Sequence, residues 1–414
     1  MAISIETTFI VFSSIIFLGY LGEKLSHRLN VPSAVFLLAL GYLLKLSGAF
    51  DISAILGIRE IFGGIALVIL LFDGGISLGN GGGLSKSGRG VLTAILITAL
   101  SIIGLAAFFK YVMGVDPLIG AILGAIAGGI GSTTTISIIK SLSLPKDIGD
   151  FVTVEASMTD VFSVILTVVM ASALVTGVLE PEALAQSTAA RFLLGLGAGL
   201  MVGFILVVFL SKTTKHSQYM ILFAATLALY ALVELGNGSG AFAVLVCGIM
   251  FANQHRLCRL LHIEEVKKKV FLQEMHAEIS FIVRTFFFVL LGIMVDLGDI
   301  QSLLYGLGII TTLYAVRFIV LKLTTWGSPL SQYSGVLTAV NPRGITTAVL
   351  VTYVIQKVAD ALSSGPDARL ETILLQMEGF PEISLYIIIF SIVFTSVLVP
   401  IAAKRVKSAG IPAE

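Results

Sequence analysis

The chain has 414 residues, of which 57% are hydrophobic and 12% charged, and its mean hydropathy is +1.02. Soluble domains carry about 25% charged residues, so this composition excludes an ordinary globular enzyme or binding module and indicates a membrane protein with many spans. A net charge of +1 says little about partners, because the distribution of charges matters more than their sum, and no nucleic-acid partner is expected; the two cysteines, Cys247 and Cys258, are too few for a disulfide framework and lack metal-ligand spacing.

Searching for about 20 apolar residues per span places helices near 4–22, 31–47, 60–79, 90–113, 117–140, 150–177, 188–211, 217–235, 239–253, 271–295, 301–322, 332–357 and 382–403. The expected fold is an all-α membrane protein with thirteen transmembrane helices. The first apolar run follows no basic n-region or cleavage site and reads as a retained span. Cys247 falls in span 9 and Cys258 in the loop after it. The stretch 359–381, with Pro366 and several charges, reads as an interfacial loop or surface helix.

Charge sidedness orients this arrangement. Loops after odd-numbered spans, together with the C-terminus, hold 17 of the 26 basic residues, and the opposite side holds 6. The positive-inside rule then puts the N-terminus outside and the C-terminus in the cytoplasm of a cell membrane. The three remaining cations, Arg284, Arg317 and Arg343, lie well inside spans. Spans 1–6 and 8–13 form two inverted-topology repeats when span 7 serves as a linker. The basic loop 255–269 reads as a lipid-facing cytoplasmic segment.

The fifth member of each repeat is interrupted. Span 5 contains Gly128-Gly129-Ile130-Gly131-Ser132-Thr133-Thr134-Thr135, and span 12 contains Asn341-Pro342-Arg343-Gly344. Irregular backbone in hydrocarbon is tolerated only where it is buried in protein or lines a cavity, and paired interruptions in two repeats point to a transport site. Gly131, Pro342 and Arg343 are the expected break residues. Arg343 stands where it can neutralise the negative end of a half-helix.

Span 6 carries two carboxylates, Glu155 and Asp160. Helical spacing puts Thr153, Ser157, Ser163 and Thr167 on the Asp160 face, giving hard oxygens that suit an alkali cation rather than a soft metal. A proton and a cation then compete for one carboxylate. Glu155 lies about 140° around the helix from Asp160; it needs a buried cation and is expected to pair with Arg317 in a structural role. Asp73 of span 3 reads either as a residue beside the ion site or as an interfacial aspartate. No partner for Arg284 is evident, and Glu234 at the end of span 8 reads as interfacial.

Glu155 and Asp160, the run Arg284-Thr285-Phe286-Phe287-Phe288, the arginine of LYAVRFIV (Arg317) and NPRGITTAV at 341–349 together resemble the sodium/proton exchanger branch of the monovalent cation/proton antiporter superfamily. The resemblance covers nearly the whole chain. It implies a homodimer in which residues 1–89 (spans 1–3) and 178–295 (linker and spans 8–10) form a dimerisation domain. Residues 90–177 (spans 4–6) and 296–414 (spans 11–13) then form a transport core with unwound, crossing helices 5 and 12. It further implies elevator-like alternating access, cation or proton binding at Asp160, the Glu155–Arg317 pair, and Asp73 near the ion site. Span 6 departs from the branch in having Thr159 where asparagine is usual, and Ser132-Thr133-Thr134 is closer to the potassium-efflux branch.

The expected function is therefore exchange of Na⁺, with K⁺ or Li⁺ as alternatives, for H⁺. The shell is expected to comprise Asp160, Thr159, Ser157, Ser132 and Thr133 with freed backbone carbonyls near 129–134. A single titrating core carboxylate implies electroneutral exchange serving pH homeostasis. A passive channel lacks the carbonyl filter or acidic ring that conduction needs, and no catalytic constellation or cofactor motif supports an enzyme.

Overall fold

The computed structural model describes residues 5–29, 33–47, 52–79, 88–142, 144–177, 181–212, 218–261, 269–294, 299–363 and 365–408. Among these residues the structure is helical and contains no strand. In chain order, α1 (Ile5–Leu29), α2 (Ser33–Leu46), α3 (Ile52–Gly79) and α4 (Gly88–Phe108) are followed by a π-helical turn at Phe109–Met113. Two short pieces, α5 (Pro117–Gly128) and α6 (Ser132–Ser141), precede the long α7 (Lys146–Thr176). Then come α8 (Pro181–Lys212), α9 (Gln218–Leu235), α10 (Gly240–Ala252), α11 (Gln254–Leu261), α12 (Lys269–Met294) and α13 (Ile300–Thr324). A 3₁₀ turn at Pro329–Tyr333 leads into α14 (Ser334–Ala339), and α15 (Ile345–Ser363), α16 (Ala368–Gln376) and α17 (Phe380–Ser408) complete the chain.

Seven of the described helices are long and apolar enough to cross a membrane, and shorter apolar helices such as Pro117–Gly128 and Gly240–Ala252 lie among them. This is an all-helical, multi-pass membrane protein. Leu193, Met201, Phe209, Phe318 and Val397 are exposed on helix surfaces, a side-chain distribution suited to lipid rather than water.

Two interruptions stand where the apolar pattern breaks. Asp116 caps α5 by accepting from the Leu118 amide at 2.8 Å, and Pro117 starts the helix. The helix ends at Gly128; Gly129 is extended, with φ −67° and ψ 133°, and helix resumes at Ser132. Residues 340–344 are likewise non-helical, because Pro342 has no amide hydrogen to give to a helix. The breaks touch: the Gly131 amide donates to the Pro342 carbonyl at 2.9 Å, and a Cβ on Gly131 would lie 3.1 Å from the Gly344 nitrogen. Glycine at both positions lets the two backbones cross.

The residues after α10 differ from the expected loop. They form α11, an amphipathic helix in which Cys258 is buried while His255 and Arg256 face outward; residues 262–268 of the basic segment lie outside the described residues. The stretch 359–381 divides into the end of α15 and α16, whose Leu370 and Ile373 turn inward.

Glycine pairs bring helices to near backbone contact. A Cβ on Gly75 of α3 would clash with the Leu245 carbonyl and lie 2.9 Å from the Gly248 Cα of α10; Gly41 of α2 meets the Val289 carbonyl and Gly292 of α12 in the same way. Gly75→Ala should therefore cost about 1–3 kcal/mol as overpacking, read as a lower melting temperature in detergent. Gly197→Ala, whose added methyl would meet nothing within 4 Å, should be neutral or stabilising by about 1 kcal/mol. Equal stability of the two variants would contradict the backbone contact.

Candidate ion site at the helix crossing

Asp160 sits on α7 beside the first break. Its Oδ2 accepts from the Ser132 amide at 3.1 Å, so the carboxylate caps α6 from another helix. That puts a negative group at the positive end of a half-helix dipole. Its Oδ1 is buried and has no hydrogen-bond partner. The direction in which a Cβ would leave Gly129 ends 3.4 Å from this oxygen and 2.8 Å from the Ser163 Cβ. Buried acceptors almost always have partners, so this orphaned oxygen is a candidate seat for a proton or a cation.

The neighbouring hydroxyls divide by function. Thr159 is buried; its Oγ1 accepts from the Ile130 amide at 3.3 Å and donates to the Ala156 carbonyl at 3.0 Å. It therefore holds the break against α7 and keeps one lone pair. Ser163 donates to the Ile126 carbonyl at 2.8 Å, occupying an acceptor in the last turn of α5. Ser157, one turn before Asp160, is half-buried, and the buried Thr167 hydroxyl has no partner. Thr153 is exposed and bonds back to the Gly149 carbonyl at 2.7 Å. Thr133 lies in the first turn of α6, with its side chain outside the described residues.

Two arginines serve the carbonyl ends of the broken helices. Arg343 reaches across the crossing, donating to the Gly129 carbonyl at 2.5 Å and to the Asn341 Oδ1 at 3.1 Å. Its charge also acts on Asp160, Glu155 and Arg317. Arg317 of α13 donates through Nε to the Leu337 carbonyl of α14 at 2.9 Å and holds Glu155 with both terminal nitrogens, in a pair fully removed from solvent. Each half-helix that ends at a break thus has a guanidinium on a carbonyl of its C-terminal segment.

The Asp73 charge acts on the Tyr219 phenol of α9, and a Cβ on the adjacent Gly74 would lie 3.5 Å from Leu245 of α10 and 3.7 Å from Val161 of α7. Arg284 is half-buried on α12 and has no ion-pair partner among the described residues. Glu234 accepts from Lys357 Nζ at 2.5 Å and from the Gly240 amide at 3.1 Å, which joins the end of α9 to α15.

Sequence reasoning missed the contribution of α17. Its Ser391 accepts from the Arg343 amide at 2.8 Å, its Thr395 accepts from the Asn341 amide at 3.3 Å, and Tyr314 donates to the Ala339 carbonyl at 3.4 Å. The available signal was the four-residue spacing of Ser391 and Thr395 inside an apolar helix.

The model of the family described as "Sodium/hydrogen exchanger, transmembrane" matches residues 13–406. The chain belongs to this family. Among curated members, similarity is found to the K(+)/H(+) antiporter NhaP2 of Shewanella sp. (strain MR-4), 26% identical over 61% of this chain and 45% of that one. The K(+)/H(+) antiporter NhaP of Alkalimonas amylolytica is 25% identical over 70% of this chain and 50% of that one. The matches thus span about half the length of these relatives. Among solved structures, the sodium proton antiporter MjNhaP1 from Methanocaldococcus jannaschii at pH 8 superposes with a TM-score of 0.75 at 20% identity, covering 96% of this chain and 98% of that one. The exchanger family and this fold are those of transporters, not enzymes.

Within this exchanger-family chain the buried pair has a defined energetic signature. Removing one partner of a buried pair costs about 3–5 kcal/mol because the other charge is left uncompensated. Arg317→Met should accordingly lower the melting temperature steeply, and Glu155→Leu in the same chain should restore much of it. A double variant as unstable as the sum of the single ones would contradict the coupling.

Proposed function

We propose that this protein is a secondary antiporter that exchanges one monovalent cation for one proton at Asp160. The observation that carries this reading is the unpartnered, buried Oδ1 of a carboxylate whose other oxygen caps a half-helix at a crossing of two broken spans. Thr159, Ser157, Ser132, Thr133 and carbonyls of 129–134 complete the cation shell, with Asp73 beside it. The Glu155–Arg317 pair keeps a structural role, and Gly131, Pro342 and Arg343 shape the break. Sodium is the leading substrate because the donors are hard oxygens around one carboxylate. Potassium is the second reading, favoured by the curated relatives named as K(+)/H(+) antiporters; Li⁺ is a further candidate.

Stoichiometry follows from the buried charge. Glu155, Asp160, Arg317 and Arg343 sum to zero when Asp160 is ionised and empty. A bound proton or a bound monovalent cation each raises the sum by the same single charge. The two loaded forms therefore move across the membrane field with equal charge, and exchange is electroneutral.

The proposed architecture has thirteen spans in two inverted repeats, with α5/α6 and α14/α15 as the corresponding broken spans. The dimerisation half comprises residues 1–89 and 178–295, the core comprises 90–177 and 296–414, and the C-terminus is cytoplasmic. The protein works as a homodimer in the lipid bilayer of the cell membrane and contributes to pH homeostasis. The core moves as an elevator, and in that motion the Glu234–Lys357 contact, which ties α9 to α15, must separate.

In proteoliposomes, an outward-directed cation gradient should drive proton uptake with an optimum in pH, and a membrane potential imposed without a cation or pH gradient should drive none. Sodium, potassium and lithium compared side by side assign the substrate. Asp160→Asn should abolish the exchange. Potential-driven transport would contradict the charge argument, and normal exchange by Asp160→Asn would remove this carboxylate from the mechanism.

A further inference from the structure

We propose that the cytoplasmic end of the core carries a seat for one anionic phospholipid, in a groove between α13, α14 and α17. The groove encloses about 570 Å³, within the range of ligand-binding clefts. Its wall is apolar and open to the outside: Phe318 is 54% exposed, Leu398 39% and Ile401 48%. Its floor is Gly335 of α14, where an added Cβ would meet nothing within 4 Å. In a membrane-spanning chain this face meets acyl chains, and the empty space over Gly335 admits one.

The rim decides which lipid. Arg405 lines one end, exposed and without a carboxylate partner among the described residues. Lys322 Nζ sits 5.8 Å from the Phe318 ring centroid, so a second cation is held against the groove wall. Lys404 is exposed beside Arg405. A phosphate seated at Arg405 gains that cation, and Lys322, held on the Phe318 wall, adds to the positive field of the rim. A zwitterionic lipid brings its own ammonium group into the same space and loses part of that gain. A free phosphate would leave the apolar wall unused.

The occupant would bear directly on the broken span. Gly335, Thr338 and Ala339 belong to α14, whose Leu337 and Ala339 carbonyls are held by Arg317 and Tyr314. This inference rests on the proposed membrane placement, with the C-terminus in the cytoplasm, and is independent of ion exchange.

The chain has a single tryptophan, Trp326, which is 80% exposed and four residues beyond Lys322. Energy transfer from Trp326 to dansyl-phosphatidylglycerol in detergent micelles containing the full-length protein reads binding without transport. Transfer should saturate with phosphatidylglycerol, remain weak with dansyl-phosphatidylcholine, and resist inorganic phosphate. Each of Lys322→Gln and Arg405→Gln should weaken binding about fivefold; Gly335→Phe should fill the groove and abolish it. The two charge variants sit on the surface and keep the test valid if the glycine variant does not fold. Equal binding of both lipids, unchanged binding in the charge variants, or complete displacement by inorganic phosphate would overturn the proposal.

Discussion

A helix interrupted inside a membrane leaves up to four amides on one side of the break and four carbonyls on the other without helical partners, and hydrocarbon supplies none. Among the described residues, two such interruptions cross at Gly131 and Pro342. The carbonyl ends are met by Arg343, Arg317, Ser163 and Tyr314, and amides in the breaks are met by Thr159, Ser391 and Thr395. At the start of α6 the partner is a carboxylate, Asp160, which needs only one oxygen for the task. Its second oxygen remains buried and open to a ligand. The same constraint that makes the broken helices tolerable therefore leaves the orphaned oxygen on which the proposed ion site rests.

In the proposed exchange, charge balance lets the site release what it binds. Arg317 is fully committed to Glu155 and Leu337, and Arg343 spends its two terminal nitrogens on Gly129 and Asn341. Neither arginine forms a direct ion pair with Asp160, so a proton or cation does not have to displace a guanidinium from it. Arg343 acts on Asp160 through space. Under the proposed function, a carboxylate held by an amide and free of a guanidinium pair can trade one ligand for another.

Much of this was legible in local sequence. Clustered glycines and hydroxyls in span 5, Asn341-Pro342-Arg343-Gly344 in span 12, and carboxylates within apolar runs each violate the pattern of a membrane helix and so mark themselves. What was not legible is which groups meet across long separations. Arg343 and Gly129 lie 214 positions apart, and no spacing rule encodes a crossing of that kind. Asp73 shows the same gap: its sequence context gives a depth in the membrane, while the action of its charge on Tyr219 depends on how α3 packs on α9. The basic stretch after α10 looked like a loop because its charges dominate, yet Cys258 and Leu257 give α11 an inward face.

The central claim is that Asp160 holds either a proton or a cation and never both, and it is tested most directly without transport. Adding sodium or potassium chloride to the purified protein in weakly buffered detergent solution, with choline chloride as control, reports protons displaced on binding. The account predicts saturable release approaching one proton per protomer at a pH where Asp160 is protonated, and none from Asp160→Asn. Cation binding without proton release, or equal release from the Asp160→Asn protein, would contradict it.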